Sequence, residues 1–454
     1  MVRLILILTM VSFTMAKNTK YKDILSHDGE VRKLYENFKV EMQFNFKPEQ
    51  DIRRFKIFKQ NVEMVAAEND VDGETAEFTV NKFSFWSEEE KRGWTTGLNA
   101  TAMIEDSKRA GRKIYQPPSS KKRAISDTPE EWLWTDEGKV TTIQDQGMCG
   151  ACWAFSAVAA LETNYAIETG TLRKFSEQEG VDCTFEENDQ GWDNWDGGCD
   201  GGWPALAFTY AQVSGRWGTA ADYPPYTEND LPCVGEKHEN GLVGAKVDEI
   251  QEIGNTEEAH IEALRWKAIA VAYHVTDRFY TYERGIYKDA TAKCTEDAGA
   301  NHAVTMVGYT ADYLLVKNSW GTDWGDKGFV KFARGFHNCG LFQYSKVPIF
   351  KSTLVKDESE NDAATTYNPR DSDPTDDCED KLGDCQLHFC YDEAKSLTYR
   401  DCRRTCHTCD VDFEAVEAAA AATAAKGECG NGLSVCDFDK VCRHRHICRW
   451  VPFL

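Results

Sequence analysis

The sequence predicts an α+β fold with two lobes for residues 124–350 of the chain. The first part of this region, to about residue 240, carries apolar residues at helical spacing. The second part has short apolar segments separated by turns with glycine and aspartate, which is typical of strands. These strands are expected at residues 303–309, 313–317 and 328–332. Helices followed by strands indicate two lobes, and a cleft between lobes is the usual position of a catalytic site.

Size, charge and cysteine content limit the class of protein. The 454 residues are enough for more than one domain. The net charge of −23 argues against nucleic acid or an anionic membrane as a partner. Seventeen cysteines indicate an oxidising compartment if most of them are paired.

The N-terminus has the features of a secretory signal peptide. A short basic start, an apolar run at residues 4–13 and small residues ending at Ala16 follow one another. The apolar run is too short to span a bilayer. We therefore expect residues 1–16 to be removed and the protein to reach the exterior or the lysosome.

Residues 17–123 are highly charged, contain no cysteine and show helical periodicity on both sides of Pro48. An independent helical bundle and an inhibitory propeptide both fit this pattern. The basic run at residues 121–123 could be a solvated loop or a cleavage site. The apolar faces comprise Val31, Leu34, Tyr35 and Phe38, then Phe55, Phe58, Val62 and Val65.

A cysteine at the start of a predicted helix is the central chemical feature. Cys152 precedes a run in which Phe155 and Val158 share one face, and Gly170 ends it. The positive end of the helix dipole and the free backbone N–H groups there favour a thiolate. Most cysteines at helix starts are structural, so the position alone does not indicate catalysis.

Two polar residues in the second half could complete a hydrolytic site. His302 opens one predicted strand, and Asn318 ends the next. Adjacent strands can bring the two side chains together. Peptide hydrolysis by a thiol needs a nucleophile, a base and an oxyanion site, and the order Cys, His, Asn agrees with such enzymes.

Three segments resemble the active-site signatures of papain-family, cathepsin L/F-like cysteine peptidases. They are the segment QGMCGACW at residues 146–153, the segment NHA at residues 301–303 and the segment KNSWG at residues 317–321. The resemblance implies a two-lobed papain-like fold with a helical lobe and a β-barrel-like lobe.

The resemblance also implies catalytic roles. Cys152 would be the nucleophile, His302 its proton-transfer partner and Asn318 the residue that orients His302. Gln146 would form the oxyanion hole with the backbone N–H of Cys152. Trp320 would shield the bond between His302 and Asn318 from water.

Substrate-binding residues follow from the same resemblance. Gly201 and Gly202 would let an extended substrate pair with the enzyme like an added strand. The candidates for an apolar S2 pocket are Trp203, Pro204, Ala272, Ala303 and Tyr344. We find no occluding loop with paired histidines, so the resemblance implies an endopeptidase.

Residues 17–123 resemble an inhibitory propeptide of the cathepsin L type. The residues that match its interspersed signature are Gln50, Arg54, Phe58, Asn61, Val65 and Asn69, with Gln50 and Val65 replacing the usual Glu and Ile. Asn81 and Phe83 resemble a second short motif, whose usual Gly and Asp are Thr79 and Phe85 here. Asn99 begins an acceptor sequon for N-glycosylation.

Two resemblances imply pairs for twelve cysteines, and if the last four are also paired, Cys152 is the one that remains free. In the peptidase region the implied pairs are Cys149–Cys199, Cys183–Cys233 and Cys294–Cys339. Residues 378–409 resemble a ShK toxin-like domain, with Asp380 and a terminal C-x₃-C-x₂-C spacing. Its implied pairs are Cys378–Cys409, Cys385–Cys402 and Cys390–Cys406.

Other segments of the C-terminal region are predicted from composition. Residues 351–377 are expected to be an acidic flexible linker, and residues 410–428 an alanine-rich spacer. Residues 429–454 contain the last four cysteines, for which two disulfides are favoured over a metal site. We expect small disulfide-rich modules here.

Two classes of function are consistent with the sequence. The first is a cysteine endopeptidase made as a secretory zymogen, with peptide substrates, its own propeptide as inhibitor, and C-terminal modules for binding or targeting. The second is a binding or channel-modulating protein that carries a vestigial protease fold. Neither requires a metal or a cofactor.

The acidic, tryptophan-bearing loop at residues 186–198 could be a solvated insertion or could favour basic or aromatic substrate side chains.

Overall fold

A computed structural model describes residues 20–71, 75–99, 112–116, 129–184, 197–234, 245–297 and 299–350. The expected signal peptide, the basic run at residues 121–123 and most of the acidic loop lie outside these residues. So do the linker, the ShK-like segment, the spacer and the four-cysteine tail. Among the described residues, no helix combines the length and apolar character needed to cross a bilayer.

The elements follow the predicted order of helices and then strands. The N-terminal region contains α1 (Asp28–Glu41), α2 (Pro48–Glu68), β1 (Glu77–Phe78), a 3-10 helix (Lys82–Phe85) and α3 (Glu88–Thr95). The peptidase region begins with β2 (Trp132–Leu133), α4 (Cys152–Thr169), α5 (Glu177–Cys183), α6 (Pro204–Val213), β3 (Glu249–Glu252), α7 (Glu257–Leu264) and β4 (Ile269–Tyr273). It ends with β5 (Tyr282–Arg284), β6 (Ile286–Tyr287), β7 (His302–Tyr309), β8 (Tyr313–Lys317), β9 (Phe329–Ala333) and β10 (Lys346–Ile349).

Residues 34–47 belong to a second compact unit. Within it, the Lys39 ammonium lies 5.2 Å from the centroid of the Tyr35 ring. The rings of Phe44 and Phe46 are 5.4 Å apart. These contacts are local to α1 and the turn that follows it.

The proregion signature residues connect α2 to later segments. Arg54 donates two hydrogen bonds to Glu90, of 2.6 and 2.8 Å. Asn69 donates to the carbonyl of Phe78 at 2.8 Å and accepts from its N–H at 3.0 Å. Arg54 within α2 and Asn69 just after its end therefore both bind segments that follow the helix.

Helix α4 is buried on every side from Cys152 to Ala166. We expected a single apolar face, and that expectation is wrong because the helix lies between the helical lobe and the sheet. Ser156 donates to the carbonyl of Val304 at 2.7 Å, and Asn164 donates to the carbonyl of Ala268 at 2.8 Å. Helix α4 therefore forms part of the core of both lobes.

The main sheet has the strand order β3-β10-β4-β7-β8-β9-β6, and β2 pairs with β7. Strands β7 and β8 are antiparallel neighbours, with Thr305 opposite Lys317. The three strands expected from the sequence lie within one residue of β7, β8 and β9. This pairing places the start of β7 beside the end of β8.

Three disulfides lie in the described part of the peptidase region. They join Cys149 to Cys199, Cys183 to Cys233 and Cys294 to Cys339, the pairs that the resemblance implies. Among the described cysteines, Cys152 is free, and it is buried. The first of these bonds joins the loop before α4 to the segment that contains Gly201 and Gly202.

Candidate active site

Cys152 is the first residue of α4, and its side chain is completely buried. The backbone N–H groups of Ala303 and Gly97 face the sulfur. Burial nevertheless raises the pKa of the Cys152 thiol to about 12. The expectation of a thiolate is therefore wrong for the chain with its N-terminal region in place, because desolvation outweighs the N–H groups and the helix dipole.

His302 and Asn318 are brought together by the pairing of β7 and β8. Nε2 of His302 lies 2.8 Å from Oδ1 of Asn318. The same oxygen accepts the backbone N–H of Ser319 at 2.9 Å, which fixes the orientation of the amide. Since Oδ1 is an acceptor, Nε2 of neutral His302 carries the proton and Nδ1 is free to receive one.

His302 is completely buried among aromatic side chains. Its ring is 4.8 Å from that of Trp320, which is only 1% exposed. The ring of Tyr280 stacks on that of Trp320, with their centroids 5.1 Å apart. Burial lowers the pKa of His302 to about 4, against opposing effects of the Asn318 bond and the Thr95 carbonyl. The imidazole is therefore neutral at mildly acidic pH.

Gln146 is completely buried, and its side chain has a fixed orientation. Its Oε1 accepts the Ser319 hydroxyl at 2.7 Å, and its Nε2 donates to the Cys149 carbonyl at 2.9 Å. The same Nε2 lies 3.4 Å from the carbonyl oxygen of Thr95. Ser319 was missed from the sequence, although it lies between Asn318 and Trp320 in a segment that was singled out.

The N-terminal region occupies the cleft over these residues. The N–H of Gly202 donates to the Gly97 carbonyl at 2.9 Å, and the N–H of Asn99 donates to the Gly202 carbonyl at 2.9 Å. Leu98 and Gly202 form an isolated parallel bridge. A Cβ on Gly97 would lie 1.7 Å from the carbonyl oxygen of Gly150, so this close approach requires glycine.

An apolar pocket lies beside Gly202. Leu98 packs against a buried cluster that includes Trp203 and Ala272, and Tyr344 borders the same cluster. The rings of Trp203 and Tyr344 are 6.2 Å apart. Of the other two pocket candidates, Pro204 lies between the cluster residues Trp203 and Ala205, and Ala303 is opposite Ala272 in the pairing of β4 and β7.

Glycine is also needed at position 201. Gly201 has φ +117, and a Cβ there would lie 3.1 Å from the carbonyl oxygen of Gly97. Residue 201 therefore combines a conformation that favours glycine with a close approach of the N-terminal region. Both glycines of the pair thus contact the same segment.

Comparisons with known proteins agree with this geometry. Residues 128–349 match the model of the papain family cysteine protease, and residues 35–90 match the cathepsin propeptide inhibitor domain. The chain is 34% identical over 339 residues to a cathepsin L-like peptidase of Aedes aegypti, covering 70% of this chain and 93% of the relative. It is 31% identical over 355 residues to the thiol protease SEN102 of a Hemerocallis species, covering 75% of this chain and 92% of the relative.

The chain belongs to the papain family of cysteine proteases. Among solved structures, digestive procathepsin L2 proteinase from the larval midgut of Tenebrio molitor is similar, with a TM-score of 0.62 and 30% identity. The match covers 70% of this chain and 100% of that protein. The predicted papain-like α+β fold is confirmed, and the protein is a peptide-bond hydrolase with an inhibitory propeptide.

The propeptide is also anchored outside the cleft. Strand β1 pairs antiparallel with β5 of the peptidase. Asn81, from the second propeptide motif, donates to the carbonyl of Tyr280 at 2.8 Å, and Phe83 packs 5.1 Å from Trp320. Glu68 forms an ion pair of 3.0 Å with Arg278. The zymogen is thus closed both at the catalytic residues and beside them.

One group in the described residues has ligand atoms close enough for a metal ion. It consists of Asp289, Cys294 and Cys339. The two cysteines are joined in a disulfide, so their sulfurs are not thiolate ligands. We assign no metal to this group.

Proposed function

We propose that this papain-family zymogen is a cathepsin L/F-like endopeptidase whose nucleophile is Cys152. The observation that supports this most strongly is the fixed pair of His302 and Asn318, since the N–H of Ala303, the residue after His302, faces the free sulfur of Cys152. Sulfur attacks the substrate carbonyl carbon, forming a C–S bond, while its proton resides on Nδ1 of His302. When the C–N bond breaks, His302 gives this proton to the leaving amine. Water then hydrolyses the thioester and restores the thiol.

Gln146 and the backbone N–H of Cys152 are the proposed oxyanion donors. The 3.4 Å approach of the Thr95 carbonyl oxygen to Nε2 of Gln146 supports this, since a carbonyl oxygen already lies next to the proposed donor. The bond from Ser319 holds the amide so that its N–H₂ group, rather than its oxygen, faces the substrate. Such a donor acts mainly on the charge that develops in the transition state.

The proposed substrate is an extended peptide with an apolar side chain two residues before the cleaved bond. Gly202 offers one donor and one acceptor to such a backbone, as it does to the propeptide. The cluster of Trp203 and Ala272 that receives Leu98 would receive this side chain. Tyr344 places a hydroxyl-bearing ring at the edge of the cluster, which limits its depth.

We extend the proposal to the rest of the chain on sequence grounds. The protein would enter the secretory pathway and act outside the cell or in the lysosome, which agrees with three disulfides in the peptidase region. N-glycosylation at Asn99 would lie on the propeptide and be lost with it. Residues 378–409 would be a ShK-like module, and with residues 429–454 would serve binding or targeting.

Acid activation of the purified full-length chain tests the catalytic assignment. Removal of the propeptide is followed on a gel, and turnover is followed with a peptidyl coumarin amide that has an apolar residue next to its P1 residue. We expect activity in the parent and none in Cys152→Ala, while Ser214→Ala, an exposed change at the end of α6, behaves like the parent. A parent that loses its propeptide, stays folded and shows no turnover would favour the vestigial fold.

A further inference from the structure

One contact between propeptide and peptidase lies next to Gln146 and outside the apolar cluster that receives Leu98. The ammonium group of Lys82 forms an ion pair with Asp145. Asp145 immediately precedes Gln146, and its side chain is 43% exposed. Among the residues that the structure describes, Lys82 is the cation paired with Asp145. This cation belongs to the segment that activation removes.

A second carboxylate lies next to Asp145. Glu228 accepts the backbone N–H of Met148 at 2.8 Å, and Asp145 accepts that of Gly147 at 3.0 Å. Glu228 has φ +58, a conformation that costs energy for a residue with a side chain. A Cβ on Gly147 would lie 2.1 Å from Cδ of Glu228, so the carboxyl group is pressed against this loop.

The charges around Glu228 indicate that the two carboxylates, Asp145 and Glu228, are suited to binding a cation. Burial raises the pKa of Glu228, and the negative charge of Asp145 raises it further, whereas Lys82 lowers it. When the propeptide leaves, the two carboxylates lose this compensating charge. A positive group placed there again would relieve the repulsion between them.

The position of the pair defines which part of a substrate it can meet. The propeptide places Leu98 in the apolar pocket, Thr95 against Gln146 and Lys82 at Asp145. In a bound substrate, the residues before the cleaved bond would lie toward the apolar pocket. The leaving amine would then lie next to His302 and its neighbour Trp320. Asp145 forms an isolated antiparallel bridge with Trp320, and a Cβ on Gly321 would lie 2.7 Å from Oδ2 of Asp145, so this carboxylate lies on the leaving-group side.

We infer that Asp145 and Glu228 form a subsite for a basic side chain of the substrate, Lys or Arg, among the first three residues after the cleaved bond. The inference rests on the proposed function of Cys152 and adds a preference on the leaving-group side. The Lys82 ammonium is the chemical precedent, because it occupies this position while the cleft is closed. Two partly exposed carboxylates give a preference of about three- to tenfold in kcat/KM for Arg over Gln.

The test uses activated enzyme and internally quenched peptides. The peptides share one sequence before the cleaved bond and carry Arg, Gln or Glu at one of the next three positions. The readout is the Arg-to-Gln ratio of kcat/KM within each variant, which does not depend on the overall activity. The variants Asp145→Asn and Glu228→Gln keep an oxygen for the N–H groups of Gly147 and Met148. Asp312→Asn removes the same charge from an exposed turn between β7 and β8 and serves as the control.

We expect the parent and Asp312→Asn to prefer Arg at one position and the double variant Asp145→Asn/Glu228→Gln to lose the preference. Raising the salt to about 1 M, where the Debye length is about 3 Å, should reduce the parent ratio. Equal rates for Arg and Gln at all three positions in the parent would overturn the subsite, as would an unchanged ratio in the double variant. Failure of the catalytic proposal gives a different result. The coumarin amide has no residues after the cleaved bond, and it would then not be turned over. In that case both the catalytic role of Cys152 and the subsite would be refuted.

Discussion

Nε2 of His302 and Oδ1 of Asn318 are 2.8 Å apart, and the N–H of Ser319 donates to the same oxygen at 2.9 Å. The second bond fixes which end of the Asn318 amide faces His302, because the N–H of Ser319 needs the oxygen, and not the NH₂ group, at this position. The proton of the neutral imidazole is thereby placed on Nε2, and Nδ1 is left to exchange a proton with sulfur. Orientation and tautomer of the base are thus set by one amide.

The first prediction concerns this amide. Asn318→Ala should lower kcat/KM by about 10- to 100-fold, since the imidazole loses the partner that selects its tautomer. The binding of a peptide aldehyde, which does not need proton transfer to a leaving group, should change less. Asn255→Ala, at an exposed position, is the matched control. Equal kinetics for the two variants would contradict the role of Asn318.

The second prediction ranks two variants that affect the oxyanion donor. Gln146→Ala should lower kcat by about 100- to 1000-fold, with little effect on KM, because the donor acts on the transition state. Ser319→Ala removes the 2.7 Å bond that orients Gln146 and should cost about fivefold, the value of one ordinary hydrogen bond. The kinetics of both are measured on the coumarin amide. A larger loss for Ser319→Ala than for Gln146→Ala would refute this order.

The third prediction concerns the latency of the zymogen. Gly97→Ala should raise the activity of the uncleaved proenzyme at neutral pH, because the new Cβ would meet the Gly150 carbonyl oxygen at 1.7 Å. Gly93→Ala is the control from α3 of the propeptide, where a Cβ would meet nothing within 4 Å. Turnover is measured before any cleavage is visible on a gel. Full latency in Gly97→Ala would show that the propeptide is not held at this point.

The fourth prediction is a loss of zymogen stability in acid. Burial lowers the pKa of His260 to about 4, and that of His302 likewise, from an ordinary value of 6.5. A lowered histidine pKa contributes stability that is present above pH 6.5 and is lost as the pH falls toward 4. The loss is about 3 kcal/mol for each histidine.

This prediction is tested on the Cys152→Ala proenzyme, which cannot process itself. Its free energy of unfolding should fall between pH 7 and pH 4, and His260→Gln should make the fall smaller. His27→Gln, at an exposed position in the propeptide, should leave the fall as it is. A slope that is the same with and without His260 would contradict the assignment.

Much of the fold and of the catalytic group could be predicted from the sequence, because short-range patterns define them. A turn with aspartate joins β7 to β8, a turn with glycine follows β8, and the pairing of the two strands places His302 and Asn318 side by side. Gly170 ends α4 with φ +83, as its position suggested. Cys152, His302 and Asn318 lie at or next to element ends, within the three segments that resemble the family's active-site signatures.

What could not be predicted depends on long-range packing. Nothing near Cys152 in the sequence shows that Gly97 approaches its sulfur, that Thr95 approaches His302, or that burial raises the pKa of the thiol. The ion pair of Lys82 with Asp145 joins positions that are 63 residues apart. Leu98 has no sequence feature that assigns it to the apolar pocket. Each of these contacts arises only when the propeptide folds onto the peptidase.

The most direct test of the central claim is the labelling of Cys152 by an epoxide inhibitor, mapped by peptide mass spectrometry before and after acid activation. The buried, protonated thiol of the zymogen should not react, and Cys152 should be modified at one equivalent once the propeptide is gone. Asn318→Ala should be labelled more slowly, because its imidazole is no longer held. Removal of the propeptide from a folded enzyme without modification of Cys152 would contradict the claim that this sulfur is the nucleophile.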